Sequence, residues 1–259
     1  MEIEFDLTKS VEENASKYFE ESKKAKKKLL GATKALTETK KRLDLLLKQE
    51  SKFLEEEAEK LVKKEKKREW YEKFHWFTSS EGFLCLGGKD ATSNELVIKK
   101  HTDKNDWVLH TDMAGSPFFV IKNGQEASEE TVKEAAQAVA VYSRAWKLSH
   151  TSADVFYVKP EQVTKEARPG EYIPKGSFMV YGKTQYLHPK LEYAIGLVED
   201  TIIGGPKSAV EKQTKNLVIV IPGKENKGAL AKKIKHKLKG GDLDEIARFL
   251  PAGGAEIKK

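Results

Sequence analysis

Residues 128–148 read SEETVKEAAQAVAVYSRAWKL, and this stretch decides the fold class. Ser128 stands where a helix N-cap belongs. Glu129 and Glu130 follow in the first turn, where exposed amides and the helix dipole favour negative charge. Val132, Ala135, Ala136, Val139, Ala140 and Trp146 recur at helical spacing, so the pattern predicts one helix of about twenty residues with an apolar face. Short β-rich runs flank it. FLCLG (83–87), ELVIKK (95–100), WVLH (107–110) and FFVIK (118–122) come before. DVFYV (154–158), SFMVYG (177–182), YAIGLV (193–198) and NLVIVI (216–221) come after. GGKD (87–90) and NG (123–124) are turn signals. Strands, a long central helix and strands again predict an α+β domain with a mainly β core.

The N-terminal part has another texture. Residues 8–76 contain one glycine, Gly31, and no proline. Leu29, Leu36 and Leu43 are seven apart, as are Leu47, Leu54 and Leu61, which is coiled-coil spacing. A single apolar seam needs a partner. The simplest is the chain itself, folded back near LDLLLK (43–48) as a long antiparallel helical hairpin. That fold-back would set the lysine clusters at 23–28 and 63–68 side by side. A self-associating dimer is the competing arrangement. At the other end, residues 207–239 hold ten lysines against two glutamates. Leu230, Ile234 and Leu238 give GALAKKIKHKL one apolar face. Asp242 with Glu245 forms a capping box for a last helix stopped by Pro251. The expected organisation is a coiled-coil arm at 1–75, an α+β domain at 76–190, and a basic extension at 191–259 packing on that domain.

Composition narrows the function. The 259 residues carry a net charge of +7, and 34% are charged. A basic balance favours a polyanionic partner, nucleic acid first and an anionic membrane second. The single cysteine, Cys85, rules out an internal disulfide or a cysteine metal cluster, and its apolar neighbours predict a buried small hydrophobe. No run is long and apolar enough to span a bilayer, so no membrane partner is expected, and the expected location is cytoplasmic.

The histidine-carboxylate stretches invite a chemical reading. HTD (110–112) and HTSAD (150–154) could bind a divalent cation or move protons, which makes a metal-dependent hydrolase at His110, Asp112 and His150 one reading. Against it, no GxSxG, P-loop, HExxH or GxGxxG motif is present. In DWVLHTDMAGSP (106–117), strand alternation points Trp107 and Leu109 one way and Val108 and His110 the other. Asp112, Gly115 and Pro117 then form a turn. As structure this is a strand end with a hydrogen-bonded histidine. As function it exposes His110, Asp112 and backbone amides to a ligand. Lys99, Lys100, Arg144 and Lys175 could neutralise phosphates, and Trp146 could stack on a base.

Three segments in order carry a resemblance. REWYEKFHWFTSSEGFLCLGGKDATSNELVIKKH (68–101), DWVLHTDMAGSPFFVIKN (106–123) and GEYIPKGSFMVYGK (170–183) closely resemble the RNA-binding domain of the NFACT family of ribosome-associated quality-control factors. The resemblance is strong over about residues 66–190, and the lysine-rich N-terminal part matches the family's middle coiled coil in position and character. The resemblance implies binding of tRNA and ribosomal RNA on large ribosomal subunits that still hold peptidyl-tRNA. A protein partner could be reached through the coiled coil. The family's N-terminal domain has no counterpart in this sequence, so untemplated peptide tailing is not expected of this chain alone. The matched motif contributes His110, Asp112 and Gly115 to the candidate RNA-binding set. Lys99, Lys100, Arg144, Trp146 and Lys175 join it on charge and stacking alone. No enzyme activity, metal or cofactor is expected. The alternative is a protein-interaction adaptor whose coiled coil is the working surface and whose basic charge is incidental.

Overall fold

A computed structural model describes residues 3–64, 69–166 and 172–258. The chain divides into two compact units, residues 1–68 and 69–259. In the first, one helix, α1 (Val11–Lys64), runs for 54 residues, or about 80 Å at 1.5 Å per residue. Ser10 and Glu13 start it as a capping box, with the Glu13 amide donating to Ser10 Oγ at 3.1 Å and the Ser10 amide to Glu13 Oε2 at 2.9 Å. Buried Asn14 ties the preceding segment down by bonding both the amide and the carbonyl of Asp6 at 3.0 Å. The helix passes straight through LDLLLK, so the expected fold-back is not made there. The reason is local. No glycine or proline follows Gly31 in this helix, and Leu, Lys, Gln and Glu are strong helix formers. The leucine seam is exposed, with Leu29, Leu36, Leu43, Leu47 and Leu54 each more than half accessible. The side chains at 63–68 and that of Leu61 lie outside the described residues.

The second unit is mixed α+β. Its first sheet contains β1 (His75–Thr78), β2 (Leu84–Gly87), β3 (Trp107–His110), β4 (Phe119–Ile121), β5 (Val155–Val158) and β8 (Gln185–Leu187), in the antiparallel order β1-β2-β4-β3-β5-β8. A small ribbon pairs β6 (Val163–Thr164) with β7 (Met179–Val180). The second sheet contains β9 (Tyr193–Val198), β10 (Thr201–Gly205), β11 (Leu217–Glu225) and β12 (Ala255–Ile257), in the order β10-β9-β11-β12.

ELVIKK is not a strand. It belongs to α2 (Ala91–Lys100), which Asp90 caps by accepting the Ser93 amide at 2.8 Å. A short apolar run fits either element, and the cap decides it. The central helix is shorter than expected. α3 (Glu129–Tyr142) begins at the Ser128 cap but ends at Ser143, whose extended backbone (φ −82°, ψ 173°) restarts the chain as the single turn α4 (Arg144–Lys147). The Ser143 hydroxyl donates to the Ala140 carbonyl at 2.7 Å and accepts the Ala145 amide at 3.1 Å, closing one helix and opening the next. Helices α5 (Lys207–Gln213), α6 (Lys227–Leu238) and α7 (Leu243–Phe249) contact the second sheet. Leu230, Ile234 and Leu238 form the buried face of α6, and Asp242 caps α7.

Helix α3 is buried nearly all round, with Ala135, Ala136, Ala138, Val139, Ala140 and Val141 sealed in the main core. Small side chains let strands of both sheets approach it. The first sheet is covered on its other face as well. Leu109, Phe119 and Ile121 point to the α3 side, whereas Val108, Phe118, Val120 and Phe156 form a second core with Val97 of α2. This alternation puts His110 on the α2 side, in register with Val108.

Candidate functional site

A cavity of about 580 Å³ opens on the α2 side of the first sheet. Three segments wall it: 88–94 at the start of α2, 110–118 between β3 and β4, and 175–180 around β7. Their close approach has local causes. A Cβ on Gly88 would lie 2.0 Å from Asn94 Oδ1. That oxygen accepts the Phe118 amide at 3.1 Å and pins the second wall to α2. Gly176 has φ +80° and packs where a Cβ would sit 2.4 Å from the Ala91 Cα. Glu95 then clamps the third wall, because its Oε1 accepts the Gly176 amide at 3.2 Å and pairs with Lys165 at 3.0 Å. Lys165 donates onward to the carbonyls of Pro174 at 2.8 Å and Ser177 at 2.9 Å. The Lys165 ammonium and the Gly176 amide hold the partly buried Glu95 carboxyl at about 2.

His110 sits on the floor. Its ring centroid is 3.8 Å from that of Phe118, and it stacks at 6.0 Å on Phe156. The Thr111 amide points at Nδ1 from 2.6 Å. Burial drives the imidazole down to about 4, while the Thr111 backbone and the charge of Asp112 act weakly the other way. His110 is therefore neutral near pH 7. The turn beyond it is held by its own hydroxyls: Thr111 Oγ1 accepts the Met113 amide at 3.3 Å, and Ser116 donates to the Met113 carbonyl at 2.7 Å. Gly115 takes φ +82° in open space. Asp112 is exposed and accepts the Tyr186 hydroxyl at 3.2 Å.

The cavity gathers His110, Asp112, Gly115 and Lys175 from the sequence-predicted set. Lys99 and Lys100 are exposed at the C-terminal end of α2, outside the lining, and Lys99 pairs with Glu95 at 3.3 Å. Arg144 is exposed on α4. Trp146 departs from its expected stacking role. It is 1% exposed, and its Nε1–H donates to the Gly254 carbonyl at 3.0 Å, so the ring belongs to the core and offers no face to a base. Among the described residues no three His, Cys, Asp or Glu side chains come together, so His110, Asp112 and His150 do not form a three-ligand metal site. Cys85 is buried, and burial pushes its thiol upward.

Two lining residues escaped the sequence reading. Lys89 lies in what reads as a plain turn, and its only signal was a cation immediately before a helix cap. His75 stacks on Tyr142 at 3.7 Å, and burial, then the charges of Lys89 and Lys227, bring it to about 3. Nothing near it in sequence marks it, since Tyr142 comes from α3.

Residues 73–182 match the family described as the NFACT protein RNA binding domain, and every residue lining the cavity falls inside that span. The fold around the cleft is thus an RNA-binding domain of that type. The chain belongs to the NFACT family. It is 43% identical over 202 residues to the archaeal Rqc2 homolog aRqcH of Methanocaldococcus jannaschii, covering 75% of this chain and 30% of that protein. It is 33% identical over 212 residues to the Drosophila melanogaster homolog of the ribosome quality control complex subunit NEMF, covering 78% and 21%. It is 35% identical over 182 residues to the human subunit NEMF, covering 68% and 16%. The chain spans less than a third of the length of these relatives.

Proposed function

We propose that this chain is an RNA-binding portion of a ribosome-associated quality-control factor, acting on large subunits that retain peptidyl-tRNA, and that it holds tRNA or ribosomal RNA at the cleft. Lys175 neutralises phosphate, the exposed turn through Asp112 and Gly115 offers polar contacts to sugars and base edges, and His110 presents a neutral imidazole. Lys99, Lys100 and Arg144 extend the basic surface beyond the cleft. The observation that carries the reading is the coincidence of the cavity with the family's RNA-binding span. The test is binding of the chain to purified large subunits, with and without peptidyl-tRNA, at two salt concentrations. Preferential binding to tRNA-bearing subunits, weakening several-fold or more as salt rises, supports it. Binding to neither form, or binding indifferent to salt, overturns it.

The exposed leucine seam of α1 favours a second role, a protein-interaction arm. An equimolar protein partner retained after nuclease treatment, and lost when Leu36 and Leu43 become Glu, would support that arm.

A further inference from the structure

Two cations from distant parts of the chain converge on one carbonyl oxygen beside the cleft, and a third lies within electrostatic reach. Lys89 Nζ donates to the Glu72 carbonyl oxygen at 3.4 Å, and Arg248 Nη2 donates to the same oxygen at 3.0 Å. Lys227, the first residue of α6, lies within electrostatic reach of both Lys89 and His75. One neutral carbonyl leaves most of their donors unused, because a guanidinium carries five N–H groups and an ammonium three.

The nearby acids Glu72 and Asp90 act on Lys89 through their charge, but neither forms an ion pair with it, and both bond backbone amides. Glu72 Oε1 accepts the Glu69 amide at 3.2 Å, and Asp90 accepts the Ser93 amide at 2.8 Å to cap α2. Some lysines find carboxylates, among them Lys99, Lys122, Lys165, Lys233 and Lys258. Among the described residues Lys89, Lys227 and Arg248 enter no ion pair. Lys227 also stands at the positive end of the α6 dipole, with a neutral Asn226 cap and no acid in the first turn. Partial desolvation lowers Lys89 and Lys227; the charge of Arg248 lowers Lys89 further, Asp90 and Glu72 offset part of this, and Lys227 adds a smaller push downward. Positive charge left in excess in this way is relieved by a bound anion.

We propose that Lys89, Lys227 and Arg248 form a phosphate seat, and that its occupant is a backbone phosphodiester of RNA entering the cleft. Lys89 and His75 line the cleft, so a phosphate held at the seat leaves its neighbouring nucleotide within the same cavity, beside Phe118, Phe156 and Phe178. Lys227 and Arg248 lie beyond residue 182, where the match to the RNA-binding domain ends, so the C-terminal part supplies two thirds of the seat. The inference rests on the RNA-binding reading above.

The experiment uses the full chain and two probes. The first is inorganic phosphate, read as thermal protection against chloride at matched ionic strength. The second is tRNA, read by anisotropy over a salt series. In the Lys89→Ala/Arg248→Ala variant, phosphate protection is lost, tRNA affinity falls roughly tenfold at low salt, and the log–log salt slope becomes shallower by about 1. A charge-matched Lys212→Ala/Lys215→Ala control, on exposed residues outside the site, keeps phosphate protection and most of the affinity. Should the double variant fold poorly, Lys227→Gln, at an exposed helix start, gives the same direction with a several-fold loss. Wild-type tRNA binding that neither the double variant nor Lys227→Gln weakens beyond the control overturns the seat and leaves the RNA-binding reading standing. Phosphate protection without any tRNA binding overturns the RNA reading and the assignment of the occupant together.

Discussion

Replacing Asp106 with Ala tests how the strand that carries His110 is anchored. The Asp106 side chain is fully buried, and its carboxylate has three partners. Oδ2 accepts the Asp103 amide at 2.7 Å and Lys122 Nζ at 2.6 Å, and Oδ1 accepts the Asn123 amide at 2.8 Å. The residue thus joins the chain entering β3 to the chain leaving β4. Asp106→Ala strands two backbone donors, each costing about 1–3 kcal/mol when left unsatisfied. Lys122 is not orphaned, because Asp103 at 2.7 Å and the His101 carbonyl at 3.0 Å still hold it. The sum is about 2–6 kcal/mol. Against a total stability of about 5–15 kcal/mol this is severe but survivable. Urea unfolding should give a lower midpoint with an unchanged slope, and melting should drop by roughly 10 °C. Asp106→Asn keeps one acceptor and should lose about half as much. A loss below about 1 kcal/mol for Asp106→Ala would refute the anchoring role, since it falls under the cost of even one stranded donor.

Acid should weaken the fold through its two buried histidines. Both have folded values depressed below the ordinary 6.5, to about 4 for His110 and about 3 for His75. The unfolded chain therefore binds the extra protons first, so stability is full above 6.5 and declines as pH falls towards 4 and then 3. Urea midpoints at neutral and acidic pH should diverge, and His110→Phe should narrow the gap; an unchanged gap would contradict the assignment. Trp146→Phe removes a buried hydrogen bond and part of a large ring, and should cost about 1–3 kcal/mol while leaving the tRNA affinity of the folded protein unaltered. A selective loss of tRNA binding would restore the stacking role. Gly31 lies inside α1 with no atom within 4 Å of where a Cβ would be, so Gly31→Ala should stabilise that helix by about 1 kcal/mol in circular-dichroism melts. A drop in helix stability would mean that something packs there.

Much of this protein is written in local pattern. The α+β class, the Ser128 cap, seven of the eight β-rich runs, the amphipathic α6 and the Asp242 cap all depend on residues a few positions apart, where side-chain period and capping act directly. The motif stretch HTDMAGSP also marks one wall of the cleft by itself. Local pattern misleads where two local solutions compete. ELVIKK suits strand or helix, and the cap at Asp90 decides it. The helix through SEETVKEAAQAVAVYSRAWKL is interrupted because the Ser143 hydroxyl satisfies the backbone on both sides of the break.

Tertiary structure decided the remainder, because the deciding partners are far apart in sequence. Trp146 reads both as part of an apolar helix face and, among cations, as a ring that could stack on a base; the fold decides it, because its indole is claimed by Gly254, 108 residues on. Lys89 and Arg248 read as unremarkable surface cations, yet both converge on the Glu72 carbonyl. Burial, shared acceptors and charge crowding are properties of the folded arrangement, and no window of sequence contains them.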